Sequence, residues 1–98
     1  MKAKVISQII YDSVLDFAHN AGHRIKRLII EGADNLAIAI YRDRVIVLEN
    51  FKLDGDCEVL GEVEVTDQLV KKAQALLRAQ KRLDYLKSQI EKLTNLPT

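Results

Sequence analysis

The segment from residue 67 to residue 95 carries an apolar repeat with a period of seven residues, which is the a/d pattern of a heptad. The repeat comprises Leu69, Leu76, Leu83 and Ile90 at a, and Ala79, Leu86 and Leu93 at d. A helix over this segment is roughly 40 Å long at 1.5 Å per residue. Because a small domain seldom needs so long a helix for itself, the pattern predicts a helix that also contacts another protein chain.

The apolar face of this helix changes in width. It is wide over residues 69–77, which suits packing on a sheet, and it narrows to a seam over residues 78–95, which suits a partner helix. We therefore expect the first half to dock on the domain and the distal half to project. The alternative is that the whole helix folds back over its own sheet. The predicted interaction residues are Ala79, Leu83, Leu86, Ile90 and Leu93.

Charges within the repeat bear on the orientation of a partner helix. Lys72 occupies a d position and interrupts the seam. In a parallel homodimer Arg82 at g would face Lys87 at e of the other copy, which is a like-charge pair. The sequence therefore favours an antiparallel dimer, or a different and acidic partner helix, over a parallel zipper.

The rest of the chain predicts an α+β domain that occupies all of residues 1–98. Residues 4–21 have apolar positions spaced by three and four, which predicts an N-terminal helix that ends at Gly22. The β-branched residues in this stretch leave a strand over the first ten residues as the alternative. Residues 24–66 predict four strands, at 24–31, 35–42, 44–53 and 57–65.

Short connections between these strands predict a four-stranded antiparallel meander, with Asp54 and Gly55 forming the last hairpin turn. In the fourth strand, valines alternate with glutamates, so we expect one buried and one acidic, solvated face. The second and third strands are apolar on both faces. They therefore offer a second candidate contact surface, formed by Ile38, Ile40, Val45 and Val47.

Basic residues suggest an alternative function. The net charge is only +1, but the chain from Asp67 onward has seven Lys or Arg against three Asp or Glu. A nucleic-acid-binding surface is therefore the second hypothesis, although the strands lack an aromatic stacking pair. Its candidate contacts are Arg24, Lys26, Arg27, Lys71, Arg78, Lys81 and Arg82.

No motif predicts an enzyme, a cofactor or a metal site. His19 and His23 have a metal-ligand spacing, with Asp16 as a third candidate, but Gly22 separates the two histidines. Cys57 shares the alternating set of Val59, which predicts a small buried residue rather than a nucleophile. Phosphate-binding loops and nucleophile elbows do not occur in the sequence.

The single cysteine and the lack of a signal-peptide core or an apolar run of ~18 residues predict a soluble cytoplasmic protein without a membrane partner. The sequence thus predicts a non-enzymatic interaction, scaffold or regulatory module. We expect it to form a homo-oligomer, with a dimer favoured, or to join a partner protein through its C-terminal helix.

Overall fold

A computed structural model describes residues 1–95, which form one five-stranded antiparallel sheet, a short helix and a long helix. The elements are β1 (Lys2–Ile10), α1 (Val14–Ala18), β2 (His23–Ile30), β3 (Leu36–Tyr41), β4 (Arg44–Leu48), β5 (Cys57–Glu64) and α2 (Asp67–Thr94). The α+β class, the antiparallel sheet and the long C-terminal helix are confirmed. The N-terminal helix and the number of strands were predicted wrongly.

The first ten residues form a strand, and only Val14–Ala18 of the predicted helix over residues 4–21 is helical. β1 pairs with β2 on one side and with β5 on the other, so it is an interior strand with apolar residues on both faces. Such a strand has no clean alternation, and its spacing therefore resembles that of a helix. Gly22 does not end a helix. It is required because a Cβ there would lie 2.4 Å from Cγ2 of Ile9.

The last strand does not continue a meander. The strand order is β4-β3-β2-β1-β5, so β5 joins the far edge of the sheet beside β1 instead of pairing with β4. The predicted hairpin at Asp54 and Gly55 is therefore wrong, although the turn exists and the N–H of Cys57 donates to the carbonyl of Asp54 at 3.2 Å. The pairing with β1 shifts register around Leu60, and both Val59 and Val63 are about half exposed rather than buried.

Residues 49–56 connect β4 to β5 across one face of the sheet. The N–H of Asn50 donates to the carbonyl of Asp34 at 2.8 Å, and the N–H of Phe51 donates to the carbonyl of Asn35 at 3.1 Å. These bonds hold the crossing segment against the turn that joins β2 to β3. The side chains of this face pack in a small cluster made of Ile6, Ile29 and Ala37 with Phe51 and Cys57.

Helix α2 covers part of the opposite face. Its start is fixed by the N-cap residue Thr66, whose hydroxyl accepts from the N–H of Leu69 at 3.1 Å. Val70 and Ala73 point into the sheet and are buried there. The main core of the protein lies between the two elements and comprises Ala3, Ile30, Leu36, Val47, Val65, Val70 and Ala73.

The tight turns use asparagine, aspartate and arginine at left-handed positions instead of glycine. The β3–β4 hairpin has Arg42 at φ 51° and Asp43 at φ 62°, which is the signature of a type I′ turn. Asp34 and Asn35 take the same conformation before β3. Aspartate adopts the left-handed conformation only at a cost in free energy, so Asp43 is not the most stable residue for this turn position.

Replacing Asp43 by glycine should therefore stabilise the protein. The substitution removes the steric cost of a Cβ in the left-handed conformation, about 1–2 kcal/mol. It adds a cost of about 0.5–1 kcal/mol, because glycine loses more backbone entropy on folding. The free energy of unfolding in urea should rise by about 0.5–1 kcal/mol. Asp56→Gly is the control, because Asp56 has no positive φ and should gain nothing. A loss of stability in Asp43→Gly would contradict the assigned turn.

Candidate functional site: the open sheet face beside the C-terminal helix

The first half of α2 covers only part of the sheet face on which it packs. Among the described residues of this helix, only Val70 and Ala73 are buried. Both lie over the end of the sheet that holds Ile30, Leu36 and Val47. Further along the strands, Ile40 is 70% exposed and Val45 is 47% exposed, so apolar surface continues beyond the helix.

An apolar groove runs beside the helix over this uncovered surface. Next to α2 it forms a cavity of about 270 Å³, whose floor is Leu28, Ile38, Val45 and Val47. The wall of this cavity is the side of α2 that carries the heptad repeat, namely Leu69, Lys72, Ala73 and Leu76. A second cavity of about 320 Å³ shares Leu28 and Ile38 and extends to Lys26 and Ile40. The groove is thus apolar, with one lysine on each side.

Gln80 fixes the point at which α2 leaves the sheet. Its side-chain amide donates to the carbonyl of Val47 at 2.8 Å and accepts from the N–H of Val47 at 3.2 Å. The amide therefore takes the place of a peptide group in a neighbouring strand at the β4 edge. In the next position, Lys81 forms an ion pair with Glu49. These contacts tie the helix to β4 and set the direction of the residues that follow.

Beyond Lys81 the helix extends away from the sheet. The apolar side chains there are all solvent-exposed: 65% for Leu83, 54% for Leu86, 51% for Ile90 and 68% for Leu93. Ala79 is exposed as well. The Cα radius of gyration is 16.3 Å, against roughly 13 Å for a compact chain of this length. The five predicted interaction residues are therefore all exposed to solvent, and the four beyond Lys81 form a row of apolar side chains on the helix.

The four strand residues proposed as a second contact surface differ in accessibility. Val47 is 1% exposed because α2 covers it, so it cannot contribute to an outer surface. Ile40 and Val45 are exposed, and Ile38 is half-buried in the floor of the groove. Three of the four therefore remain accessible, and they lie on the same face as the helix.

The basic residues proposed for nucleic-acid contact are spread over different surfaces. Arg27 is only 9% exposed, on the face covered by the crossing segment, so it offers little accessible surface to a nucleic acid. Its Nε donates to Gln8 Oε1 at 2.8 Å, and its guanidinium carbon lies 5.3 Å from the centroid of the Phe51 ring. Burial lowers the pKa of this guanidinium.

The other basic candidates are accessible, although two have partners within the chain. Nη1 of Arg24 donates to the hydroxyl of Ser7 at 2.8 Å, and Lys81 pairs with Glu49. The remaining four are exposed, one on β2 and three on α2: Lys26, Lys71, Arg78 and Arg82.

Asp12 joins three segments in a polar cluster that the sequence did not predict. Its carboxylate accepts from the hydroxyl of Tyr41 at 2.5 Å and from Nη2 of Arg42 at 2.9 Å, and it lies 3.1 Å from Nε2 of His23. The bond from Tyr41, with smaller contributions from Arg42 and His23, lowers the pKa of Asp12. No sequence signal could have revealed the cluster, because its members come together only through the register of β1, β2 and β3.

The residues weighed for metal or thiol chemistry do not converge. His23 contacts Asp12 rather than Asp16, and within residues 1–95 no three His, Cys, Asp or Glu side chains are placed to hold a metal ion. The thiol of Cys57 donates to Oδ1 of Asp54 at 3.4 Å, and burial raises the pKa of this thiol. A raised pKa keeps Cys57 protonated and weakly nucleophilic at neutral pH.

Comparisons with protein-family models, with curated proteins and with solved structures give no match for this chain. Within the described residues, neither helix is long and apolar enough to cross a lipid bilayer.

Replacing Gln80 by alanine should loosen the helix from β4. The change removes two part-buried hydrogen bonds and leaves the N–H and carbonyl of Val47 without these partners. We expect a loss of about 1–2 kcal/mol in the free energy of unfolding, measured in urea. Gln68→Ala, on an exposed position of the same helix, should change it by less than about 0.5 kcal/mol. Equal values for the two variants would contradict the structural role of Gln80.

The Asp12 cluster should make stability depend on pH in the acid range. A carboxyl whose folded pKa lies below its unfolded value stabilises the fold above the unfolded pKa, about 3.9, and this contribution disappears as pH falls through the folded pKa. Asp12→Asn should therefore lower the urea midpoint at pH 7 and differ less from the native chain at about pH 3. A deficit of Asp12→Asn relative to the native chain that is the same at pH 7 and at pH 3 would refute the assignment.

Proposed function

We propose that this protein is a non-enzymatic interaction module that associates with a second copy of itself through the distal half of its C-terminal helix. The observation that carries the proposal is the row of exposed apolar side chains at Leu83, Leu86, Ile90 and Leu93. Four exposed apolar residues on one helical face lower the solubility of a monomer. Binding to a partner surface removes them from water.

The anchoring of the helix supports the same proposal. An isolated helix of about 12 residues is marginal in water, since nucleation is costly. Here the distal half continues a helix whose first half is already packed on the sheet and bonded to β4 through Gln80. The exposed row is therefore presented on a preformed element, which reduces the entropy cost of binding a partner.

Charged residues near the row favour a specific partner over non-specific hydrophobic association. Between Leu83 and Leu93 the helix carries Asp84, Lys87, Glu91 and Lys92 around the apolar face. Lys87, at an e position, flanks the seam directly, and Asp84 and Glu91, at b positions, lie further round on the same side of the helix. Charges beside a seam help to select the orientation of the partner.

The mass of the protein in solution tests this function. The full chain should have the mass of a dimer, and a chain ending after Arg82 should be monomeric while keeping its fold. This truncation retains the contacts of Gln80 and Lys81 with β4, so loss of association cannot be ascribed to loss of docking. Light scattering after size exclusion gives the mass, and circular dichroism reports the fold.

Two point variants provide a matched comparison. Leu86→Lys places a charge in the exposed apolar row and should raise the dimer dissociation constant by at least about tenfold, since a buried unpaired charge is costly. Ser88→Lys changes the opposite side of the same helix and should leave the mass unchanged. A monomeric full chain, or a dimer that survives Leu86→Lys unchanged, would refute the proposed function.

A further inference from the structure

We infer that the groove on the sheet of one copy is filled by the distal half of α2 from the other copy, lying antiparallel to the first helix. This inference rests on the proposed function and specifies where the partner helix binds. It concerns two surfaces of one chain, the apolar groove between Lys26 and Lys72 and the exposed row from Leu83 to Leu93. Two copies related by a two-fold axis would cover both surfaces of each copy within one closed interface.

The dimensions of the groove match a second helix. The first half of α2 lies over Ile30 of β2, and packed helices are about 8–10 Å apart. At ~3.4 Å per residue along the strand, Leu28 lies ~7 Å and Lys26 ~14 Å beyond Ile30. A neighbouring helix would therefore lie between Leu28 and Lys26, which is where the groove is open.

The length of the exposed segment also matches. The segment from Leu83 to Thr94 is ~18 Å long at 1.5 Å per residue. Four strand spacings of ~4.8 Å make the five-stranded sheet ~19 Å wide. The distal segment therefore spans nearly the full width of the sheet of the other copy.

The wall of the groove is the heptad face of α2, which sets the register. In an antiparallel pair, each a residue packs against a d residue of the other helix. An axis next to Lys81 achieves this for the whole repeat. It places Leu93, Leu86 and Leu83 of the second copy opposite Leu69, Leu76 and Ala79 respectively. Leu93 and Leu86 then lie opposite leucines of the groove wall, and Leu83 lies opposite Ala79, one turn further along the same helix face.

The same register accounts for the two lysines of the groove. It places Ile90 of the second copy opposite Lys72, so that Glu91 of that copy lies at the same level, above the sheet. Lys72 is part of the wall and Lys26 is part of the far floor. A carboxylate entering between them would be attracted by both cations, which favours this position over a shift by one heptad.

Charge reversal tests whether the partner helix lies on the sheet. Glu91→Lys should raise the dimer dissociation constant by about tenfold or more, because it brings a third cation between Lys26 and Lys72. Adding Lys26→Glu should restore the affinity to within about threefold of the native chain. Lys26 is on β2 and outside the helix, so Lys26→Glu would not restore the affinity of a dimer held by α2 alone. Glu91→Lys with Lys52→Glu, on the crossing segment, controls for net charge and should stay weak.

Disulfide trapping tests the orientation. In a Cys57→Ser background, Leu69→Cys with Leu93→Cys should give a covalent dimer under mild oxidation. The two positions are ~36 Å apart within one helix, so the bond must join two copies. Each cysteine alone should give no covalent dimer, whereas a parallel pair would cross-link through either one.

The outcomes separate this inference from the proposed function. A native chain that remains monomeric overturns both. A dimer that is indifferent to Glu91→Lys, that is not rescued by Lys26→Glu, or that cross-links through a single cysteine overturns the groove and the register, and leaves self-association through the distal helix standing.

Discussion

The pairing of β5 with β1 determines the arrangement of this protein. The two strands are antiparallel neighbours although more than forty residues separate them in the sequence. Because β4 ends at the opposite edge of the sheet, the chain must cross one face to reach β5. Helix α2 then begins beside β1 and can only pack on the other face, where it runs back toward β4. The crossing segment, the position of the helix and the open groove all follow from this one pairing.

The parts of the fold that local sequence determines were predictable. The long helix, its Thr66 cap and the strands around Leu36 and Val45 have strong local signals in periodicity and turn residues. The change from a wide apolar face to a narrow seam coincides with the point at which α2 passes β4 at Gln80. Local patterns of this kind need no knowledge of long-range partners, and this explains why they could be read from one sequence.

The parts that depend on long-range pairing were not predictable. An interior strand such as β1 carries apolar residues on both faces, so its spacing cannot distinguish a strand from a helix. β4 and β5 are consecutive in the sequence, which suggested a hairpin. The local sequence gives no sign that β5 pairs with β1 instead. The groove had the same limitation. Ile38 and Ile40 could be recognised as a candidate surface, but Lys26 joins them only through the register of β2 and β3.

The two edges of the sheet limit how the protein can assemble. Exposed edge strands attract further strands and lead to open-ended aggregation unless something blocks them. At β4 the amide of Gln80 occupies the outward main-chain groups of Val47. At β5 the irregular register near Leu60 and the glutamates at 58, 62 and 64 oppose pairing with another copy of the same acidic strand. Growth of the sheet from edge to edge is thus disfavoured at both ends, and contacts through a face, which can close on themselves, are left as the route to a finite assembly.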